Sequence, residues 1–434
     1  MPLNYGESLL GSTSRIEVPF IKVVIGAYTF GIYQKSADVP VQDGDQFYTV
    51  QKIQYPNYLQ SLSVVKINGQ VNEYSLTLTY PIRPGDDPNF FEKVFSSINQ
   101  TRKITFSYGD ISQPHYVYRN EEAVITNITC NFDVKNCTIN YNVSAVSSAK
   151  LATTGAYSFF WDRDSDGKSK PSKEIWKILK NPTYGLKNLF YGMTNEESVS
   201  RLGLIPSNDK NVKLDDLTNV SPLEAIQYLV SNMTSTSDDL PPFYCLTIHD
   251  EVNGETINNE LVEELGGPYF KITQVDKLQE HSDAYEITVG YPNQNIITSF
   301  SVQNNENYSI YYNWQEELTD SSYVMRLSDS GDWESTYAAN INSKNQQHVT
   351  KESDKTWWSK VTQYPISATI QLKGLLRPAT LMQYVHLKVL FFGRKHISSG
   401  TYIVTKQTDQ IDSSGYRTTL GLTRVNGEND EYDN

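Results

Sequence analysis

Cysteine is scarce in this chain, which excludes one common way of stabilising a fold. Three cysteines, Cys130, Cys137 and Cys245, occur among 434 residues. An odd and small number does not provide a disulfide framework, so we expect free, buried thiols of the kind found in a reducing compartment. The first residues also lack the basic and apolar regions of a secretory signal peptide.

Long apolar runs, an excess of basic charge and paired metal ligands are missing as well. No apolar segment approaches the length that spans a membrane. Lys and Arg number 37 against 50 Asp and Glu, a formal charge of −13, which excludes broad attraction to nucleic acid or anionic membranes. None of the six histidines stands at a spacing suited to zinc. P-loop, dinucleotide and serine-nucleophile motifs are absent, so we expect no enzyme and no cofactor.

Strand patterns are what the chain does have, and its 30 tyrosines favour β structure. Between Ser61 and Tyr80, apolar residues alternate with polar ones, which is the pattern of strands with one buried face. Asn68-Gly69 interrupts the alternation and predicts a hairpin turn, because both residues accept a positive φ at little cost. An apolar stripe of helical spacing at about 88–98 then predicts one short helix across this unit.

The whole pattern predicts a mainly β protein (α+β) with a small helical insert. Two β units stand around a mixed middle region, where capping boxes at Thr194 and Ser221 begin two helices. The predicted segments are 1–150 for the first β unit, 151–240 for the helical insert, 241–300 for a β segment linking to the second unit, 301–425 for the second β unit and 426–434 for an acidic, disordered tail.

One acidic loop is a candidate calcium site. Asp162, Asp164 and Asp166 alternate and Gly167 follows them, which matches the first half of an EF-hand loop. Lys173 stands at the twelfth position, where that loop needs a bidentate glutamate. We therefore expect weak calcium binding at most, and a solvated acidic turn is the favoured alternative.

Other polar and aromatic pairs favour structural roles. Asp87, in the pair Asp86-Asp87, precedes a proline and is predicted to cap a helix rather than to act as a general acid or base. Asp238-Asp239 also stands beside prolines. Trp357-Trp358 could form a carbohydrate platform, although core or subunit contact is favoured. Residues 329–354 are polar and weakly patterned, which predicts a long surface loop.

Two stretches carry a family resemblance. They are Tyr55 to Leu62 continuing through Ile67 to Asn72, Pro84 to Asn89 and Tyr108 to Asp110, and then Gly400 to Thr405 with Gly415 to Arg424. In these stretches the chain resembles the baseplate (tail) hub proteins of contractile-tailed bacteriophages. With element order and length, the resemblance covers most of the chain and is weakest in the middle, and its motifs are structural.

The resemblance implies two tube-like β-barrel domains flanking the middle region, and a homotrimer. Three chains would form a pseudo-sixfold ring between the hexameric tail tube protein and the trimeric central spike protein, in contact with other baseplate proteins of the wedge or tape-measure kind. Genomic DNA would pass through the channel without specific binding, and no membrane is implied. The expected location is the tail baseplate of the virion, after assembly in the host cytoplasm. A tail-tip cell-wall hydrolase and a glycan- or receptor-binding tail protein stay open as alternatives.

Overall fold

The structure, a computed structural model, consists mainly of β-strands, with helices concentrated in the middle of the chain. The predicted fold class, mainly β with a small helical part, is therefore confirmed. In the stretches described below, no helix combines the length and the apolar character needed to cross a membrane. The described residues are 19–26, 28–31, 40–43, 46–49, 58–96, 102–110, 119–233, 243–252, 264–275, 285–290, 297–304, 323–327, 333–337, 366–373, 381–392, 394–396 and 398–427.

The described residues of the first β unit form nine strands and one short helix. In chain order these are β1 (Pro19–Ile25), β2 (Tyr28–Gly31), β3 (Pro40–Asp43), β4 (Gln46–Thr49), β5 (Leu59–Ile67), β6 (Glu73–Pro81), α1 (Phe90–Ser96), β7 (Lys103–Asp110), β8 (Arg119–Asp133) and β9 (Thr138–Ser147). The strands lie in the order β5-β6-β9-β8-β7-β1-β2, and β3 and β4 form a separate hairpin. Residues from one face of all seven sheet strands form a single apolar cluster with α1, so the sheet wraps around one core.

The hairpin predicted around Asn68-Gly69 is confirmed. Strands β5 and β6 pair antiparallel across it, with Val64 opposite Tyr74, and Gly69 has a φ of +73°. Tyr74, Leu76 and the other apolar residues of β6 point into the core, while their polar neighbours are more exposed. The alternation therefore sets both the strand and its buried face. The predicted helix is also present, as α1.

The middle region begins with a 3-10 helix at Ser148–Thr153. It continues with β10 (Tyr157–Phe159), α2 (Pro171–Lys180), a 3-10 helix at Pro182–Tyr184, α3 (Leu186–Leu189), a 3-10 helix at Tyr191–Thr194, α4 (Glu196–Arg201), β11 (Leu217–Val220), α5 (Pro222–Ser231), β12 (Phe243–His249) and β13 (Tyr269–Val275). The capping box at Ser221 is confirmed, whereas the cap of α4 is Asn195, one residue after the predicted Thr194.

The β12–β13 hairpin shares a core with the helices. Leu246 and Ile272, which pair across the hairpin, lie in the same apolar cluster as Ile175 of α2 and Leu229 of α5. The sequence predicts a β segment over 241–300 that links to the second unit, and this division stays a prediction. The apolar face of the β12–β13 hairpin covers the helices, because short helices cannot bury their own apolar stripes alone.

The second β unit is formed by the last nine strands. They are β14 (Tyr285–Val289), β15 (Ile297–Asn304), β16 (Tyr323–Leu327), β17 (Trp333–Tyr337), β18 (Ile366–Lys373), β19 (Tyr384–Phe391), β20 (Arg394–Lys395), β21 (Gly400–Asp412) and β22 (Gly415–Gly427). Strands β15, β18, β22 and β21 lie side by side, and β19 pairs with β21, β14 and β20.

Two details of the second unit differ from expectation. Strand β17 occupies part of the predicted loop 329–354 and pairs with β16, with Trp333 opposite Leu327; the aromatic residues there favour strand pairing. The rest of that loop lies outside the described residues. Strand β22 runs to Gly427, which pairs with Gly400, so the last strand extends past Val425, where the tail was predicted to begin. Residues 428–434 lie outside the described residues.

One continuous sheet joins the two β units. Strand β21 pairs with β22 along its whole length, and on its other side it pairs first with β19 and then with β5 of the first unit. A single strand is thus shared between the units, which positions the sites considered next. The boundaries of the domains themselves stay predictions.

Candidate functional site

The acidic loop predicted as a weak calcium site lies before α2, and the protein itself engages its carboxylates. Asp164 Oδ1 accepts hydrogen bonds from the backbone N–H groups of Asp166 and Lys168, both at 2.9 Å. Asp162 forms an ion pair with Lys177. The Lys168 N–H lowers the pKa of Asp164, and Lys177 lowers the pKa of Asp162. The loop is therefore held by its own backbone and by a lysine, and weak calcium binding stays a prediction.

Three histidines can be placed, and each contacts a neighbour within its own unit. The His249 ring stacks on Tyr269 with 4.6 Å between ring centroids. His386 and His396 lie within hydrogen-bonding distance of Thr401 and Ser398. His115, His281 and His348 lie outside the described residues. Within the described stretches, no three His, Cys, Asp or Glu side chains form a group that could hold a metal ion.

Of the predicted carboxylate and tryptophan pairs, Asp86-Asp87 lies within the described residues. Asp87 Oδ1 accepts a hydrogen bond from Asn89 N at 2.9 Å, its Oδ2 pairs with Lys93, and Lys93 lowers its pKa. These contacts hold the turn just before α1, which begins at Phe90, and a cap of the helix itself by Asp87 stays a prediction. Asp238-Asp239 and Trp357-Trp358 lie outside the described residues.

The three cysteines are free thiols, as expected, but only one of them is buried. Cys245 is buried, Cys130 is half-buried and Cys137 is exposed. Cys137 lies in the turn between β8 and β9 with a φ of +51°, rather than on a strand, and this turn projects into solvent.

A buried polar cluster, which we call the junction cluster, lies where the first unit meets the β12–β13 hairpin. Its members are Lys66, Asn72, Tyr74, Tyr108, Glu121, Ser147 and Asp250, all of them buried. The alternation of β5 places Lys66 on the inner face that also carries Leu62 and Val64, so the ammonium enters the interior. The alternation of β8 likewise places Glu121 on an inward-facing position, so its carboxylate is buried.

Glu121 is the centre of the cluster. Lys66 Nζ forms an ion pair with its Oε1, and Tyr108 OH donates to the same oxygen at 3.2 Å. Tyr74 OH donates to Oε2 at 2.8 Å and lies 3.1 Å from Asp250 Oδ2. A buried charge is tolerated when it is both paired and hydrogen-bonded, and these donors meet that condition for the Glu121 carboxylate.

Asp250 brings a second carboxyl group to the same hydroxyl. Ser147 Oγ donates to its Oδ1 at 2.5 Å, and Asn72 Nδ2 donates to its Oδ2 at 2.8 Å. Burial raises the pKa of Asp250 to about 6, against the opposing effect of these two donors. Burial also raises the pKa of Tyr74, so its hydroxyl keeps its proton. Because that single proton faces two carboxyl groups, protonation of Asp250 reduces the repulsion between them.

The junction cluster ties the middle region to the first unit. Glu121 and Asp250 are both 0% exposed, so a substrate has no route to either carboxyl group in this arrangement. Backbone hydrogen bonds also join β8 to the segment that follows β12. Glu122 N donates to Asp250 O at 3.0 Å, and Val252 N donates to Asn120 O at 2.9 Å. The cluster is therefore a structural connection, which is one common use of a buried polar network.

The β5–β6 turn connects all three regions. Gly69 N donates to Leu246 O of β12 at 2.8 Å, and Asn68 N donates to Thr405 O of β21 at 3.0 Å. The Gln227 side chain of α5 donates to Gly69 O. A residue with a positive φ is needed at this meeting point, and Gly69 meets that need without strain.

A second connection is the outer part of the β21–β22 hairpin, residues 406–420, which we call the second-unit arm. From Lys406 to Asp412 it pairs antiparallel with β5 of the first unit. Ile411 and Tyr416 are 0% and 5% exposed and belong to the core of the first unit. The second unit therefore completes the core of the first.

A buried carboxylate fixes the shape of the second-unit arm. Asp409 Oδ1 accepts hydrogen bonds from Thr418 Oγ1 at 2.7 Å and from Tyr416 OH at 3.1 Å. Its Oδ2 accepts one from Gln407 Nε2 at 2.7 Å. Because these donors lie on both strands of the hairpin, the network holds β21 and β22 in one register.

Sequence reasoning did not identify these two connections, although part of the signal was present. The alternation of β5 places Lys66 on the buried side of a strand, where a charge requires a partner. Glu121 stands at an equally buried position of β8. Opposite charges on the inner faces of two predicted strands could have suggested the pair. Asp250, 129 residues after Glu121 in the sequence, gave no local signal.

Solved tail proteins are similar to this chain in overall course. One is the 43 kDa tail protein of prophage MuSo2 from Shewanella oneidensis, at 9% identity and a TM-score of 0.47, covering 94% of this chain and 98% of that one. Another is a tail protein from Neisseria meningitidis MC58, at 7% identity and a TM-score of 0.46, covering 94% and 97%.

A secretion-system component is similar too. The E. coli c3393 protein, described as part of the type VI secretion system and as similar to the T4 tail proteins gp27 and gp5, has 9% identity and a TM-score of 0.43, covering 86% of this chain and 76% of its own. At such identities and TM-scores, no property of these proteins is transferred to this chain. No protein-family model matches the chain, and no curated protein does.

Proposed function

We propose that the chain is a structural hub of a phage tail baseplate or of a related injection machine. Three copies form a pseudo-sixfold ring that connects a hexameric tail tube to a trimeric central spike and leaves a channel for DNA. The function is geometric, because a ring of three chains with two β units each presents six similar units to the tube.

The observation that carries the proposal is the joining of two β units in one continuous sheet. Strand β21 belongs to both units, and the second-unit arm contributes Ile411 and Tyr416 to the core of the first. Two units fixed in this way form a rigid double building block, as a symmetry adaptor requires. The hub-like stretches of the sequence include parts of these strands, namely the start of β5, residues 400–405 of β21 and residues 415–424 of β22.

The charge of the chain agrees with the proposal. An acidic surface repels the DNA backbone, so a channel lined by such chains lets DNA slide without holding it. The remaining parts of the proposal are contacts with the tail tube, the spike and the wedge or tape-measure proteins, in the virion baseplate. The chain has no catalytic role in this proposal, in agreement with the burial of Glu121 and Asp250.

Electron microscopy of the purified chain, alone and with its spike protein, tests the proposal. The expected result is a threefold ring with a central hole and six similar densities around it. A monomer or dimer at high concentration in light scattering, with no ring even when the spike is present, contradicts the hub function. Degradation of peptidoglycan in a zymogram, lost on changing one carboxylate, supports the hydrolase alternative instead.

A further inference from the structure

The two β units repeat one strand arrangement in detail. Strands β5, β6, β9, β8 and β7 correspond in order to β15, β18, β22, β21 and β19, with antiparallel pairing throughout. The outermost strands differ, because β1 runs antiparallel to β7 whereas β14 runs parallel to β19. The repeat is therefore confined to these five strands.

Irregularities of register repeat as well. Strand β8 shifts against β9 between Ile125 and Asn127, and β21 shifts against β22 between Val404 and Lys406. Strands β5 and β15 both shift near their first residues, at Leu59/Ser61 and Ile297/Ser299. Bulges are local features of defined position, so they fix which residues of the two units are equivalent.

One strand pairing occurs in only one half of this repeat. The second-unit arm pairs with β5 from Lys406 to Asp412. The equivalent of its paired segment, residues 406–412, is residues 127–133 of β8, which we call the first-unit arm, and the equivalent of β5 is β15. In the part of the chain that the structure describes, the first-unit arm pairs only with β9, and β15 pairs only with β18. Among the described residues, two strand edges of matching design are therefore left without a neighbour.

The side chains on these edges are exposed where their equivalents are buried. Phe132 of the first-unit arm is 70% exposed, whereas the equivalent Ile411 is 0% exposed. Val302 of β15 is 38% exposed, whereas the equivalent Val64 is 1% exposed. Ile411 and Val64 are buried because the arm lies against β5. Phe132 and Val302 are apolar like their buried equivalents, but among the described residues no strand covers them.

We infer that the first-unit arm of one chain pairs antiparallel with β15 of a second copy of the same chain, an inference that rests on the proposed ring. The occupant is a second copy because the internal pairing of the second-unit arm with β5 already demonstrates the fit. Within one chain the two units already meet through the pairing of the second-unit arm with β5. The first-unit arm therefore cannot also pair with β15 of the same chain. The second pairing therefore continues from chain to chain, head to tail, and such contacts close into a ring when the rotation allows it.

The internal pairing also supplies the register between chains. Ile411 pairs with Leu62 and Asp409 with Val64. Transferred to the equivalent residues, Phe132 lies opposite Phe300, and Cys130 lies opposite Val302. The contact covers strand edges that otherwise invite indiscriminate pairing, and it places two aromatic rings side by side near one of its ends.

A disulfide between chains tests this register. In a Cys137→Ser background, Val302→Cys places a thiol opposite the native Cys130 of the neighbouring chain. Opposed antiparallel residues have Cα atoms about 4.5–5.5 Å apart, within the range of about 4.4–6.8 Å that a disulfide spans. Oxidation with copper phenanthroline should convert the assembled protein to covalent dimers and trimers on a non-reducing gel. The matched control is Ser301→Cys, whose side chain points to the other face of the sheet, and it should stay monomeric on that gel.

The outcomes separate this inference from the hub function. A threefold ring that forms with Val302→Cys but gives no more covalent product than Ser301→Cys overturns the pairing and leaves the hub intact. A chain that stays monomeric in sedimentation overturns both.

A second variant does not depend on disulfide formation. Phe132→Asp should weaken assembly of the ring by about thirtyfold or more, while Phe132→Leu should not. The circular dichroism and unfolding midpoint of the separated chain should stay unchanged, because Phe132 is exposed there. Equal assembly of the Asp and Leu variants overturns the inference.

Discussion

The first β unit is completed by other parts of its own chain, whereas the second is completed only in part. The second-unit arm contributes Ile411 and Tyr416 to the first core, and the junction cluster closes that unit against the middle region. The core of the second unit receives Cys245 and Val275 from the β12–β13 hairpin, but within the described ranges β15 pairs on one side only, with β18. The difference shows that an exposed apolar side chain can mark a missing neighbour rather than a poor core.

The largest effect should come from charging the arm that fills the first core. Ile411→Asp places a carboxylate among apolar side chains and should lower the free energy of unfolding by about 4 kcal/mol or more. Gln410→Asp, on the adjacent exposed position of β21, should change it by about 0.5 kcal/mol or less. Urea unfolding followed by tyrosine and tryptophan fluorescence measures both. Similar losses for the two variants would mean that the arm does not complete the core.

A slightly smaller effect is expected on the strand that receives this arm. Lys66→Met removes the partner of the fully buried Glu121 and should cost about 3–5 kcal/mol, since an unpaired charge then stays in the interior. Combining Lys66→Met with Glu121→Gln should restore much of that loss. A double variant that is as unstable as the single one contradicts the view that the unpaired charge is the cause.

The pH dependence of stability should distinguish the junction cluster from exposed carboxylates. Because the pKa of Asp250 is raised to about 6 in the folded chain, its contribution is complete below the ordinary value of 3.8 and is lost as the pH rises through 6. The loss amounts to about 3 kcal/mol.

Asp250→Asn should remove this dependence when unfolding is measured from about pH 2 to 7. Asp87→Asn is the control, because Lys93 lowers the pKa of Asp87. The contribution of Asp87 is present above its ordinary value and is lost as the pH falls, which is the opposite sign. Parallel pH profiles for the wild type and Asp250→Asn would show that Asp250 is not the group that titrates.

The smallest effect is expected at the acidic loop, which lies in neither β unit. Millimolar calcium should shift the unfolding midpoint by less than the error, because Lys177 pairs with Asp162 and backbone N–H groups occupy Asp164. Calorimetry provides a direct check. A micromolar affinity that disappears in Asp164→Ala would establish a calcium site there after all.

The local part of the fold could be predicted from the sequence. The alternation along β6, the Asn68-Gly69 turn and the capping box at Ser221 each depend on residues within a few positions of one another. Their physical cause is the period of the backbone and the preferences of single residues, which the sequence shows directly.

The connections between regions could not be predicted in the same way. Asp250 meets Tyr74 across 176 residues, and Gln407 pairs with Lys66 across a still longer separation. Ile411 and Phe132 occupy similar places in similar patterns, and nothing local tells which of them is covered. Such contacts depend on how complete units pack, so only the folded chain distinguishes them.

The strand shared between the units also determines how the molecule carries mechanical load. Strand β21 is bonded to β22 on one side and to β19 and β5 on the other. A force that pulls the units apart along the strand direction acts on this ladder in shear, so many backbone hydrogen bonds resist it together rather than opening one after another. The two units should therefore move as one body under tension, and a machine that strikes a cell envelope would need such stiffness.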